Sequence, residues 1–324
     1  MLHTAAFVAL LAAVPSFIVP VTASSKRGLV FTPNATSRAD DDIWVKKPTT
    51  LTWYYNYKSD PEPTYADIPQ SEFEFVPMLW GAPPTLDDTS FLSNVTSLMD
   101  KGVNITNVLS FNEPDGPFAW GGSNMQPSAA AKVWVKNMIP LQEKGVRVGL
   151  PACTGGSTGL PWLRNFLSEC SKLISTDEET RNCTYDFVTI HWYGNFEGLA
   201  SHMGQYSAAF PNKTMWITEY NLANEDLAAT QSFYNMSAEY FDRLDFVGRY
   251  SLFGAFRSDV SNVGPNGAML SNNGSLTDIG AWYLGRPATG IKPTQGSSGS
   301  SGFRSLPQGG LAVLTALLAV AAFL

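Results

Sequence analysis

Val108-Leu109-Ser110-Phe111-Asn112-Glu113-Pro114 and Met215-Trp216-Ile217-Thr218-Glu219-Tyr220-Asn221 are two apolar stretches, each running into a glutamate. Their β-branched and aromatic content predicts buried strands, and each delivers a carboxylate to a strand end. Similar runs recur outward from them. Strands are expected at 28–31, 52–55, 75–79, 107–111, 147–150, 186–191, 214–218 and 247–253. Helical patterns lie between them at 40–47, 89–101, 128–144, 161–173, 199–209 and 225–244, with a last one at 278–284. Ser128 and Pro161 act as start signals, and the Pro-rich segment 60–70 leaves room for only a short helix.

Near-continuous apolar strands alternating with helices imply a parallel sheet covered on its outside. Eight such units over residues 24–284 imply an α/β fold of the (β/α)8 TIM-barrel kind in a single domain, close to the usual length of roughly 250 residues. A doubly wound open sheet is the alternative. It lacks support because no Gly-rich phosphate loop follows the first strand. Three barrel units span about 95 residues, close to the spacing of Glu113 and Glu219, so the two glutamates belong to strands four and seven.

The ends of the chain read differently from its middle. Residues 5–19 are apolar and precede Val21-Thr22-Ala23, so residues 1–23 are expected to be a secretory signal peptide. Residues 285–302 are rich in Gly, Ser and Pro and are read as a flexible linker. Small residues near 298–301, a spacer and the apolar run 311–324 form the pattern of a glycosylphosphatidylinositol signal, with 303–324 removed. These features predict a protein at the cell surface or wall, held to the plasma membrane by a lipid alone. Acceptor sequons at Asn34, Asn94, Asn104, Asn182, Asn212, Asn235 and Asn273 suit that route.

The formal charge of −7, without any Lys/Arg cluster, argues against a nucleic-acid partner. Three cysteines in an oxidising compartment allow one bridge; Cys170 to Cys183 is expected, stapling the loop around Glu178 and leaving Cys153 as a buried thiol. With His191 and His202 the only histidines after residue 23 and no His-Cys clustering, neither a zinc site nor a cofactor is expected. A monomer is expected as well.

In a (β/α)8 barrel the active site lies at the carboxyl ends of the strands. Two carboxylates facing each other there are the equipment for glycosidic cleavage, one protonating the leaving oxygen while the other attacks or activates water. Asn112, beside the acid, is a candidate ligand for a sugar hydroxyl. His191 and Tyr193, ending the sixth strand, are candidates to hold the carboxylate of Glu219 or a hydroxyl. Trp80 and Asn56 at other strand ends are read as a stacking platform and a hydroxyl contact, and Trp120 in the loop after Pro114 as a further platform. Each has a plainer reading: a satisfied core histidine for His191, core packing for the aromatics.

Asn112-Glu113-Pro114-Asp115, Ile217-Thr218-Glu219-Tyr220-Asn221, Trp53-Tyr54-Tyr55-Asn56 and Val76-Pro77-Met78-Leu79-Trp80-Gly81 together resemble the fungal members of glycoside hydrolase family 128. That is a β-1,3-glucanase family within the large clan of retaining (β/α)8 glycosidases. The resemblance covers nearly all of residues 26–284. It implies that Glu113 is the acid/base, Glu219 the nucleophile, and β-glucan the partner. It also implies a tryptophan before Phe253, where this chain has Leu252, weakening one sugar subsite.

Two rivals remain. Gly155-Gly156-Ser157-Thr158-Gly159 matches the G-x-S-x-G nucleophile elbow, but no histidine follows His202 to serve it. A wall-anchored glucan-binding protein with little or no turnover, or a glycosidase of another β-glycan, would share the same barrel.

Overall fold

The computed structural model describes residues 24–33 and 37–296. Eight strands follow in chain order: β1 (Arg27–Val30), β2 (Trp53–Tyr55), β3 (Glu74–Phe75), β4 (Asn107–Val108), β5 (Arg147–Val148), β6 (Phe187–Tyr193), β7 (Thr214–Asn221) and β8 (Val247–Leu252). All pair in parallel. Six form an arc in the order β3-β2-β1-β8-β7-β6, while β4 and β5 pair with each other. Single parallel bridges, Met78 to Leu109 and Gly149 to Phe187, join that pair to the two ends of the arc. Each strand thus neighbours its successor and β8 neighbours β1, which is the circuit of a (β/α)8 barrel.

Strands three to five are shorter than expected. Pro77 has no N–H to give a ladder, although its carbonyl still accepts from Leu109 N at 2.8 Å. Pairing there falls to isolated bridges instead of a continuous ladder.

Six helices cover the outside: α1 (Ser90–Asp100), α2 (Pro127–Glu143), α3 (Gly159–Ile174), α4 (Phe196–Ala209), α5 (Leu227–Arg243) and α6 (Asp278–Tyr283). The side chains of Asn195, Asp226 and Thr277 cap α4, α5 and α6 by accepting from backbone N–H groups three residues on. The helix expected at 40–47 is instead a 3-10 helix, Arg38–Ile43, and the Pro-rich segment supplies only the turn Pro63–Tyr65. Three consecutive aspartates and Pro48 make residues 38–48 a poor α-helix.

The alternation of side chains along each strand separates two apolar layers. Inside the barrel stand Val30, Trp53, Tyr55, Val76, Met78, Leu109, Phe187 and Trp216. Trp216 stacks on Phe187 with ring centroids 4.0 Å apart and tilts against Trp53 at 5.4 Å. Glycines make room for these rings: a Cβ on Gly28 would lie 2.1 Å from the Trp53 ring, and one on Gly149 2.5 Å from Phe187. The guanidinium of Arg249 lies over Trp216 at 4.5 Å and pairs with Glu74, which closes the amino-terminal end of the barrel. Outside the strands, a second cluster packs Leu29, Tyr54, Val108, Phe111, Ile190 and Ile217 under helix residues such as Trp134, Leu163, Phe166 and Tyr206.

Cys170 on α3 and Cys183 before β6 form the expected disulfide, and Cys153 is a buried free thiol. Replacing both Cys170 and Cys183 by Ala is expected to cost about 3 kcal/mol, the value for closing a loop of this length, read as a fall in the urea midpoint. Residues 285–296, expected to begin a flexible linker, are instead bonded back to the domain. Asp278 Oδ1 accepts from Thr289 N and Gly290 N, both at 2.8 Å, and Pro293 O accepts from Asn272 N at 3.0 Å. The signal 1–23, the attachment region 298–301, the tail 303–324 and Asn34 lie outside the described residues. The other six sequon asparagines are all exposed. No helix among the described residues is long and apolar enough to cross a membrane.

Candidate active site

Beyond β4 the chain stays extended: Asn112 bridges Ala152, and Glu113 N donates to Ala152 O at 2.7 Å. Glu113 itself has φ +40°, the left-handed region that a non-glycine residue occupies at a cost of about 1–3 kcal/mol. Such strain concentrates where function fixes a side chain against the preference of its backbone. Glu219 lies within β7, two residues before its end, and is 5 % exposed. The β6–β7 register shifts by a bulge between Ile190 and His191, which sets His191 opposite Glu219. Bulges re-aim side chains in this way.

His191 Nδ1 lies 3.1 Å from Glu113 Oε1 and 3.6 Å from Glu219 Oε2. The imidazole, 1 % exposed, therefore bridges the two carboxylates. Tyr57 donates to Glu219 Oε1 at 2.7 Å and Tyr193 to Glu219 Oε2 at 2.6 Å. Both oxygens of Glu219 are thus bound by phenols, while among the described residues the side chain of Glu113 is bonded by the histidine. Ligand atoms of Glu113, His191 and Glu219 lie within 4.8 Å of one another, the one such trio able to hold a metal ion among the described residues. A carboxylate pair this close belongs with the spacing of about 5–5.5 Å used for covalent catalysis, not with the 6.5–9.5 Å that leaves room for a water.

The electrostatics divide the two glutamates further. Burial raises the pKa of Glu113 above the ordinary carboxyl value; the His191 bond and charge oppose that, and the charges of Glu219 and Asp115 add to it. Burial pulls His191 down, but the charge of Glu219 and the bond and charge of Glu113 outweigh it, so its pKa is raised overall. Burial, followed by the charge of Glu219, pushes Tyr57 and Tyr193 well above the usual phenol value, so both remain donors. The trio thus keeps a proton on the Glu113–His191 side and holds Glu219 in a cage of donors.

The structure brings Glu113, Glu219, His191 and Tyr193 together as expected. Asn112 is buried beside them; its Nδ2 donates to Gly121 O at 2.9 Å, and its Oδ1 has no partner among the described residues. Asn56 is a correction. Its Nδ2 donates to Asp60 O at 3.0 Å and its Oδ1 accepts from Lys58 N at 3.3 Å, so it folds its own loop. The next residue, Tyr57, reaches Glu219 instead, through a left-handed φ of +61°. Strand alternation gave no sign of that turn. The aromatic run ending at Asn56 was the available signal.

Trp80 stacks on Phe118 with centroids 6.3 Å apart, and Phe118 and Trp120 are 56 % and 78 % exposed. Trp80 O accepts from Asn112 N at 2.8 Å, which ties this aromatic group to the strand that carries Glu113. The segment 155–159 is no nucleophile elbow. Its glycines permit close packing, since a Cβ on Gly155 would lie 3.0 Å from Trp192 and one on Gly159 2.8 Å from Tyr206 Oη, while Ser157 faces solvent.

Known proteins share the fold that carries this site. The glycosyl hydrolase catalytic core family matches residues 28–283. Alkali-sensitive linkage protein 1 of Schizosaccharomyces pombe is 30 % identical over 270 residues, 81 % of this chain, and this chain spans only 44 % of that protein's length. A curdlan-specific exo-β-1,3-glucanase of glycoside hydrolase family 128, subgroup III, from Blastomyces gilchristii superposes with a TM-score of 0.62 at 26 % identity, covering 81 % of this chain and 99 % of the other. A subgroup II endo-β-1,3-glucanase of the same family from Pseudomonas viridiflava gives 0.64 at 25 %, covering 82 % and 99 %. The match spans the whole barrel and both strands that carry the glutamates: this chain belongs to the glycosyl hydrolase catalytic core family.

Proposed function

We propose that the protein is a retaining glycoside hydrolase that cleaves β-1,3-glucan by double displacement. The observation that carries this reading is the pair Glu113 and Glu219 within 4.8 Å, the first raised in pKa by burial and the second bound by two phenols. In the first step Glu219 attacks the anomeric carbon while Glu113 gives its proton to the departing glycosidic oxygen. The C–O bond breaks with its electron pair on that oxygen, and a covalent glycosyl–enzyme ester forms. In the second step Glu113, now ionised, takes a proton from water, whose oxygen attacks the same carbon and releases Glu219. His191 Nδ1 stays within hydrogen-bond reach of Glu113 Oε1, at 3.1 Å. Asn112 Oδ1, buried and without a partner among the described residues, is placed to accept from a sugar hydroxyl.

The β-1,3 linkage rests on the resemblance and on the activities of the two superposed glucanases, one exo-acting and one endo-acting. The test is NMR of the first-formed sugar, together with product analysis on linear β-1,3-, β-1,6- and mixed-linked glucans. Retention of configuration and products from the β-1,3 polymer are expected; an inverted anomer defeats the mechanism. Binding of the β-1,3 polymer with no released sugar would make the protein a glucan-binding module. The tract near 298–301, the terminal apolar run and the six exposed sequons support placement at the cell surface, acting on wall glucan. Release of the protein from intact cells by a phosphatidylinositol-specific phospholipase checks it.

Tyr57→Phe and Tyr193→Phe each remove one charge-assisted bond from Glu219. Each is expected to lower kcat on a β-1,3-glucan by roughly 10-fold or more, the value of a hydrogen bond to a charged group, in steady-state assays.

A further inference from the structure

We propose that Asp115 is a positioning residue for Glu113, a strap that pins the strained acid/base turn to the loop after β5. The inference rests on the reading of Glu113 as acid/base. Asp115 Oδ1 accepts from Thr154 N at 2.8 Å; its Oδ2 accepts from Thr154 Oγ1 and Thr158 Oγ1, both at 2.7 Å. Three bonds from one carboxylate thus cross from the β4 loop to the β5 loop. They flank the backbone bonds Glu113 N to Ala152 O and Gly116 N to Glu113 O, at 2.7 and 2.9 Å.

A second observation shows how closely this turn is held. A Cβ on Gly116 would lie 2.9 Å from the Thr154 methyl, and one on Gly122 2.4 Å from Gly116 O. The first contact presses the β4 loop against the β5 loop and the second folds the β4 loop tightly on itself, and together they hold Glu113 at its φ of +40°. Asp115 also stands beside the buried Cys153 thiol, and its charge is felt by Glu113, His191, His202 and Tyr206. Asp115 bonds to Thr154 and Thr158 and not to Glu113 itself, so it acts on the acid through the backbone that aims it, with its charge as a smaller influence.

The test separates proton donation from the rest of catalysis. A 2,4-dinitrophenolate leaves without a proton, so misplacing Glu113 should harm the cleavage of glucan but not that of 2,4-dinitrophenyl β-laminaribioside in the first step. Asp115→Ala is expected to lower kcat/KM on β-1,3-glucan about 100-fold, the cost of a misplacement on the order of 1 Å. The same variant should stay within about threefold on the dinitrophenyl glycoside, where no general acid is needed. Azide should speed its turnover of that substrate and give the β-glycosyl azide. Asp115→Asn, which keeps one acceptor, should fall between the two.

Equal losses on both substrates, or no loss on glucan, would overturn the proposal. Thr158→Val removes a single hydroxyl from an exposed residue and keeps the test available if Asp115→Ala does not fold; it should show the same discrimination at roughly fivefold. Failure of the underlying reading looks different. In that case Glu113→Gln itself leaves cleavage of glucan unchanged.

Discussion

Replacing Glu219 by Gln is expected to lower kcat on β-1,3-glucan by on the order of 10⁵-fold, about 7 kcal/mol of transition-state stabilisation, as for loss of a covalent nucleophile. The amide keeps the size of the carboxylate; one of the phenols of Tyr57 and Tyr193 still donates to its oxygen while the other turns to accept from its N–H, so the fold should be unaffected. What it loses is the charge and the lone pair that attack carbon. Equal loss on glucan and on 2,4-dinitrophenyl β-laminaribioside is expected, because leaving-group activation cannot replace an attacker. With Glu219→Ala, azide entering the vacated face should give the α-glycosyl azide, identified by NMR. Recovery of the β-azide instead would assign the attack to another residue.

Glu113→Gln is expected to behave otherwise. Cleavage of glucan should fall by about 10²–10⁴-fold, the range for general acid–base catalysis, while the first step on the dinitrophenyl glycoside is spared. The pH profile provides a second check. Burial raises the Glu113 pKa, so the acid stays protonated to higher pH than an ordinary carboxyl, and activity is lost as pH rises through that raised value. Removing the carboxyl should remove this basic limb from kcat/KM. A variant that keeps the limb would show that the titration belongs to His191, whose raised pKa shares the same proton.

Much of this site was legible in the residues. Glu113 and Glu219 were found because a glutamate at the end of a buried apolar strand has few other uses in a parallel barrel. His191 and Tyr193 followed from their place on the strand before Glu219, and Cys170 with Cys183 from spacing and compartment. Position at a strand end was not enough to read Asn56. That side chain folds back onto Asp60 and Lys58, and the left-handed Tyr57 takes the place in the cleft. No local pattern announces a positive φ at a tyrosine. Trp80 and Trp120 were found as aromatics at the correct end of the barrel, but the Trp80–Phe118 stack depends on a loop whose path is set by contacts far apart in sequence.

The chain's own order of apolar runs and breaks determined the eight-unit parallel fold and which two strands carry carboxylates, because burial and periodicity act locally along each strand. Tertiary structure alone decided which groups surround each carboxylate. The His191 bridge, the phenol pair on Glu219 and the Asp115 strap join residues from strands and loops up to 162 positions apart. Proton affinity in a buried site depends on which charges and donors surround a group in space, and that arrangement exists only once the barrel has closed.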